Sequence, residues 1–282
     1  MSDQRNHFLR ITLLWLVASL ITTPLVVLVA APGLPPGSGS VEASGQVTDN
    51  AVLLGIATPV ALAVLVYFAY ALVVWRERDP GQVVDGPAVR GHARVQLWWL
   101  VSTTVIVLFL AGYGSVRLLA DGAGGGQGPS PIAVPAAART GRTLQVQVIA
   151  QQWQFVYRFP GYGGVETNHL ELPANTMVEL HVTSLDVIHS FWAYQLGVKA
   201  DANPGVDNIA YVTTKGPLRF NVRCAELCGV WHGYMFDNTG RVVSQADFAT
   251  WIRRQQSTFA PATKLLDPYA RQYFPDPQRR GG

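Results

Sequence analysis

Leu144-Gln145-Val146-Gln147-Val148-Ile149 and Trp153-Gln154-Phe155-Val156-Tyr157-Arg158-Phe159 alternate apolar and polar side chains and are parted only by Ala150-Gln151-Gln152. A period of two is the mark of strands that bury one face. Met177 to Thr183, Ile209 to Thr213 and Leu218 to Arg223 continue the pattern. Pro160-Gly161, Pro173-Ala174-Asn175, Pro204-Gly205 and Gly216-Pro217 supply turns between such segments. Residues 143–245, about a hundred in short strands at this spacing, predict a β-sandwich or Greek-key barrel. Ser244 then offers an N-cap to a short amphipathic helix expected over Gln245 to Gln256, with Asp247 in its first turn and Arg253-Arg254 in its last. Residues 257–282, rich in Pro, Gln and Arg, are expected as a flexible tail.

Upstream the composition changes. Of the 282 residues 49% are apolar and 14% charged, and the apolar ones crowd into the first 120. Ile11 to Ala31, Ala51 to Trp75 and Leu97 to Val116 form runs of 21, 25 and 20 residues without a charge. Each is long enough to cross a hydrocarbon core of about 30 Å as a helix. The second and third predict a transmembrane hairpin over 51–120. The first has two readings. It is a further span, or, with Arg5 and Arg10 ahead of it and Val29-Ala30-Ala31 near its end, a signal peptide. Against removal, the run is longer than the usual apolar core of a signal and Pro32 follows the candidate cut. Arg76, Arg78, Arg90 and Arg94 between the two later runs mark that loop as cytoplasmic, so everything after Arg117 is expected outside. The Gly/Pro/Ser-rich stretches Pro32 to Asn50 and Asp121 to Arg142 are expected as linkers. An α+β membrane protein results: 1–50 first apolar run and linker, 51–120 hairpin, 121–142 linker, 143–256 β domain, 257–282 tail.

The net charge of +3 comes from 18 Arg and 3 Lys against 18 acids, scattered along the chain, which gives nucleic-acid binding no support. From Asp121 onward there are 14 basic and 12 acidic side chains, so the exterior half is close to neutral.

Both cysteines of the chain lie in Cys224-Ala225-Glu226-Leu227-Cys228-Gly229-Val230-Trp231-His232-Gly233-Tyr234-Met235. Two thiols, an imidazole and a thioether in twelve residues are soft or borderline metal ligands of the kind copper prefers. His189, in Asp186-Val187-Ile188-His189-Ser190, offers a second imidazole, expected near the end of a strand at the same rim. Four arrangements compete. A disulfide leaves the histidines and Met235 unused. A Cys2His2 zinc site has no use for Met235. A mononuclear blue-copper site needs one cysteine only. A thiolate-bridged pair of copper ions uses every residue.

The segment Cys224 to Met235 resembles the signature Cys-x-Glu-x-Cys-Gly-x-x-His-x-x-Met of the binuclear copper A centre in cytochrome c oxidase subunit II, and every defining position is filled. The order of anchor, linker, barrel, His-Ser strand and Cys loop is similar to that family from about residue 50 to 255, and Leu196 to Gly205 resembles the stretch that follows its first copper histidine. The resemblance implies a cupredoxin-like barrel in which Cys224 and Cys228 bridge two copper ions. His189 and His232 would each bind one, Met235 would be a weak axial ligand and Glu226 would give its main-chain carbonyl. It also implies that the Glu226 side chain points to a magnesium ion at the boundary with subunit I. Gln152 to Tyr157 resembles the aromatic patch that receives electrons from a c-type cytochrome, with Trp153 as the receiving residue and Phe155 where the family usually has Trp. The implied activity is that of an oxidase subunit passing single electrons to haem in subunit I, where oxygen is reduced to water and protons are moved. Subunits I and III would be its partners in a bacterial cell membrane.

Two features depart from the family. Gln96, three residues ahead of Trp99, stands where a Glu near a proton path is usual, and an amide cannot carry a proton as a carboxylate does. The near-neutral exterior half lacks the acidic excess that would steer a strongly basic cytochrome, so a membrane-tethered or less basic donor is expected. A nitrous-oxide reductase would need a large histidine-rich domain, and a quinol-oxidase subunit of this fold lacks the copper ligands. A tethered copper-delivery protein is the non-enzymatic rival.

Overall fold

The computed structural model describes residues 2–34, 37–76, 91–121 and 134–263. The described residues within 1–32 and 49–117 form one compact unit, and those within 33–48 and 118–263 form a second.

The first unit is helical because long uncharged runs pair most of their backbone groups within the same segment as helices, here with Pro24 inside the first and Pro59 inside the second. Helix α1 (Ser2–Leu25) continues through a π-helical turn (Val26–Ala30) into a 3-10 turn (Ala31–Gly33). Helices α2 (Val41–Val74) and α3 (Ala93–Asp121) follow. Among the described residues these three helices are long and apolar enough to cross a membrane. Helix α1 runs antiparallel to α2: His7 Nδ1 lies 2.6 Å from the Tyr70 hydroxyl, while further along Trp15 Nε1 donates to the Pro59 carbonyl at 2.8 Å. Tyr113 and Arg117 of α3 both donate to the Asp49 carboxylate of α2, at 2.7 and 3.0 Å. Arg78 and Arg90 of the expected cytoplasmic loop lie outside the described residues.

The first linker expectation needs correction. Part of Pro32 to Asn50 is helix, because Ser40 caps α2: its hydroxyl accepts from Ala43 N at 2.9 Å. The same hydroxyl donates to the Leu196 carbonyl, and the buried Glu42 carboxylate accepts from Thr213 N at 2.8 Å. A Gly/Ser-rich composition read as a spacer here hides a cap and two anchors to the β domain.

The second unit is a sandwich of two five-stranded sheets. One holds β1 (Leu144–Gln151), β2 (Gln154–Phe159), β3 (Val165–Thr167), β5 (Met177–Ser184) and β8 (Asn208–Thr213), in the order β3-β2-β1-β5-β8. The other holds β4 (Glu171–Pro173), β6 (His189–Ala193), β7 (Val198–Ala202), β9 (Leu218–Cys224) and β10 (Phe236–Val243), in the order β4-β10-β9-β6-β7. Pairing is antiparallel except for β1 with β5 and β4 with β10. The predicted alternation is what fills the space between the sheets: Val146, Val148, Tyr157, Phe159, Leu180, Val182, Val212, Phe220 and Val222 are all buried.

A short helix α4 (Ala136–Arg139) ends the second expected linker, and Val134 and Ala138 pack on Ile209 and Tyr211; residues 122–133 lie outside the described set. Helix α5 (Gln245–Thr263) runs seven residues beyond the expected end at Gln256 and takes in the start of the supposed tail. Its apolar face is the reason: Phe248 and Ile252 are buried, and Trp251 and Phe259 pack against the same core. Residues 264–282 of the tail lie outside the described residues.

Candidate metal centre

Two strand ends create the site. Strands β6 and β9 are antiparallel neighbours with Phe191 opposite Cys224, so the first residue of β6, His189, falls beside the last residue of β9, Cys224. His189 therefore opens its strand, where the sequence suggested a position near a strand's end. Residues 225–235 form the connection to β10, pinned at its base by Cys224 N donating to the Met235 carbonyl at 3.0 Å and by Ala225 N donating to the Ser190 carbonyl at 2.9 Å. A 3-10 turn, His232–Tyr234, folds the loop back so that His232 returns to the cysteines.

The donor atoms converge. Cys224 Sγ and Cys228 Sγ are free thiols 3.7 Å apart, far beyond the roughly 2 Å of a disulfide. His189 Nδ1 lies 3.8 Å from Cys224 Sγ, and His232 Nδ1 lies 3.4 Å from Cys228 Sγ. Met235 Sδ is 3.7 Å from Cys228 Sγ, and the Glu226 carbonyl accepts from Cys224 Sγ at 3.1 Å. His189, Cys224 and Cys228 bring one nitrogen and two sulfurs within 4.8 Å of one another, all three residues buried. Met235 is buried as well and His232 partly so. Every sequence-identified ligand candidate thus meets at one end of the sandwich. The Glu226 side chain is exposed, and among the described residues it belongs to no group of three or more metal-ligating side chains.

Burial, and next the adjacent Cys224, push the Cys228 thiol up to about 12. Without a metal it holds its proton, and a cation must displace it. Burial would raise the Asp186 carboxyl, but Gln152 N–H, His189 and Val187 N–H all hydrogen-bond to it and hold it at about 2. Asp186 was not singled out from the sequence. Its Oδ1 is 2.8 Å from His189 Nε2, which fixes the ring with Nδ1 toward the sulfurs. An acid three residues before a ligand histidine is a readable signal, though a weak one on its own.

Gln152 and Trp153 occupy the turn between β1 and β2 and reach across to the cysteine loop. Gln152 Nε2 and Trp153 Nε1 both donate to the Cys228 carbonyl, at 2.9 and 3.2 Å. Trp153 is half-buried at this end of the domain, whereas Phe155 and Tyr157 point into the core and pack edge-on against Phe191. The aromatic strand therefore divides, with one indole at the rim and the next two rings inside. Gly229 makes the approach possible. Its φ is +117°, and a Cβ there would lie 3.1 Å from Gln152 Nε2 and 3.4 Å from Trp153 Cζ2.

Two thiols, two imidazoles, a thioether and a carbonyl facing one small volume suit a soft transition metal. Zinc would use four of them and leave the buried Met235 sulfur idle. Five side-chain donors, three of them sulfur, fit copper as the metal held here.

A family described as cytochrome C oxidase subunit II, periplasmic domain, matches residues 165–239. The cytochrome c oxidase subunit 2 of Thermostichus vulcanus is 31% identical over 266 residues, spanning 80% of this chain and 79% of its own. That of Synechocystis sp. is 28% identical over 235 residues, spanning 72% and 70%. Among solved structures, the periplasmic domain of subunit II of cytochrome oxidase from Bradyrhizobium japonicum is 30% identical and covers 41% of this chain and 95% of that one, with a TM-score of 0.39.

Proposed function

The chain belongs to the cytochrome c oxidase subunit 2 family, which makes it a subunit of a haem–copper terminal oxidase, and on that premise we propose that it is the subunit through which electrons from a c-type cytochrome pass toward haem in subunit I. The observation that carries this is the convergence of Cys224, Cys228, His189, His232, Met235 and the Glu226 carbonyl. Cys224, Cys228, His189, His232, Met235 and the Glu226 carbonyl would together hold a binuclear copper centre. Copper held there supplies a one-electron redox site.

The protein's own residues make that site useful. Burial of His189, Cys224, Cys228 and Met235 keeps water away, and the strand pairing that fixes Cys224 beside His189 leaves the ligands little room to relax. Asp186 holds the tautomer and direction of the His189 ring. Trp153, bonded to the Cys228 carbonyl, links the rim of the domain directly to a sulfur ligand and is the residue on which electrons arrive. The near-neutral exterior half favours a tethered or weakly basic donor held by apolar contact.

In this reading the apolar helices anchor the chain in a bacterial cell membrane with subunits I and III as neighbours. The Arg76-to-Arg94 loop lies inside and residues 143–256 lie outside as the copper domain. The first apolar run is read as a retained span, because α1 makes specific side-chain contacts with α2. Gln96, an exposed residue in the first turn of α3, leaves a proton path at that position without a carboxylate.

Metal analysis and electron paramagnetic resonance on the chain purified within its complex test the proposal. Two coppers sharing one unpaired spin per chain are expected. One copper, or zinc, would overturn it.

A further inference from the structure

A cleft of about 560 Å³ lies between helices α1 and α2, lined by His7, Phe8, Ile11, Thr12, Tyr67 and Trp75. Its walls are mainly apolar and aromatic. Phe8, Tyr67 and Trp75 are 74%, 55% and 47% exposed, so the cleft opens outward and is not closed over by the chain. The Trp75 ring meets Tyr67, Tyr70 and His7 edge-on, with centroids 5.9, 5.4 and 5.8 Å away, and His7 Nδ1 lies 2.6 Å from the Tyr70 hydroxyl. These contacts give the cleft a fixed aromatic wall. Its depth follows from the sequence: Trp75 ends the uncharged run 51–75 and Arg76 comes next, while on α1 Arg10 directly precedes the uncharged run that opens with Ile11. One end of the cleft thus lies where apolar spans meet charged residues, the level at which Trp and Tyr rings collect in membrane proteins. Tyr67 precedes Trp75 by eight residues, about 12 Å of helix. The other end therefore reaches into the hydrocarbon.

The occupant is constrained from both ends. Arg10 and Arg76 are exposed, and neither is paired with an acid among the described residues. Long basic side chains at a span's end carry their charge to the headgroup level, and basic pockets between helices on the cytoplasmic side bind anionic headgroups. A soluble anion has no use for the apolar walls, and an uncharged amphiphile has none for two unpaired guanidinium groups. We propose that the cleft binds an anionic phospholipid of the cytoplasmic leaflet, its phosphate between Arg10 and Arg76 and its upper acyl chain along Phe8, Ile11, Tyr67 and Trp75. This rests on the reading above of α1 as a retained span that starts inside, because α1 supplies one of the two walls. It adds a function for that span: without α1 the cleft does not exist.

Photocrosslinking tests the site in the purified complex, reconstituted into phosphatidylcholine with a trace of phosphatidylglycerol that carries a diazirine on its acyl chain. Peptide mass spectrometry is expected to find the label on the segments 8–12 and 67–75. Unlabelled phosphatidylglycerol should compete it away, whereas added phosphatidylcholine and inorganic phosphate should not. Each cation near an anionic headgroup contributes about fivefold in affinity. Arg10→Gln combined with Arg76→Gln should therefore lower labelling of both segments about tenfold or more, while Arg10→Lys with Arg76→Lys, which keeps the charges, retains most of it. Equal labelling by a diazirine phosphatidylcholine, parental labelling in the Gln variant, or displacement by an uncharged isoprenoid quinone would each overturn the site. The same spectra report where the mature chain begins. A start at or near Pro32 would defeat the retained-span reading itself, whereas an intact α1 without the label would defeat the lipid site alone.

Discussion

Asp186 Oδ1 lies 2.8 Å from His189 Nε2, and this contact turns the other ring nitrogen toward the Cys224 sulfur. A ligand histidine held this way keeps one tautomer and a more basic ligand atom. Asp186→Asn keeps the size and loses the charge that the contact uses. Copper retention against a chelator is expected to weaken by about ten- to a hundredfold, as for other orienting partners of metal ligands. Retention within twofold of the parent would mean the carboxylate plays no part.

Gly229 permits the Gln152 and Trp153 side chains to reach the Cys228 carbonyl. At φ +117° any side chain is strained, and a Cβ would sit 3.1 Å from Gln152 Nε2. Gly229→Ala should cost on the order of 1–3 kcal/mol, lower the thermal midpoint and slow electron uptake by displacing Trp153. A variant with parental midpoint and parental uptake rate would show that the close approach is not needed.

Much of this was legible in the chain. Alternation in the sequence found β1, β2, β5, β8 and β9; β2 and β9 bury every second residue against the facing sheet, whereas β1, β5 and β8 bury runs of consecutive residues, polar ones among them. It failed for β10, whose start, Phe236-Asp237-Asn238-Thr239-Gly240, is polar and carries a register shift between Asp237 and Gly240. It failed for β3 and β4 because three residues are too few to show a period. The ligand set was legible because its members are chemically rare. Asp186 and Gln152 were not, because their roles arise from loops meeting in space and leave only common residue types in the sequence. Gly/Pro/Ser content misled at residues 32–50, where one serine used as a cap outweighs the composition around it.

Burial holds the Cys228 proton on up to about pH 12 in the metal-free protein. Copper binding must therefore release protons throughout the ordinary pH range, and affinity should climb as pH rises. The expected measurement is a chelator-competition series between pH 6 and 8 in which affinity rises roughly tenfold per unit for each proton displaced. A flat series would show that the thiols are already ionised.

Helix α1 contacts α2 through His7 with Tyr70 and Trp15 with the Pro59 carbonyl, and Ala31, at the candidate cleavage site, is fully buried. A peptidase needs an accessible, extended segment, whereas residues 26–33 are helical. The subunit isolated from membranes is expected to contain residues 11–31 by mass spectrometry. A mature chain beginning at or near Pro32 would contradict this.

His181 is a buried cation outside the metal centre. Burial alone would lower its pKa, but Asp207, with Oδ2 2.9 Å from Nδ1, and Glu179, with Oε1 3.4 Å from Nε2, outweigh it and raise the ring from 6.5 to about 9. A folded-state value above the unfolded one stabilises the fold fully below pH 6.5, and the contribution fades as pH rises through about 9. The shift corresponds to a contribution on the order of 3 kcal/mol. Thermal unfolding of the full chain in detergent, followed by tryptophan fluorescence, should give a midpoint that falls between pH 6.5 and 9. His181→Gln should be less stable at pH 6 and should lose most of that slope, because a neutral amide takes up no proton over this range. An unchanged slope in the variant would assign the pH dependence to other groups and show that the ring is neutral in the fold.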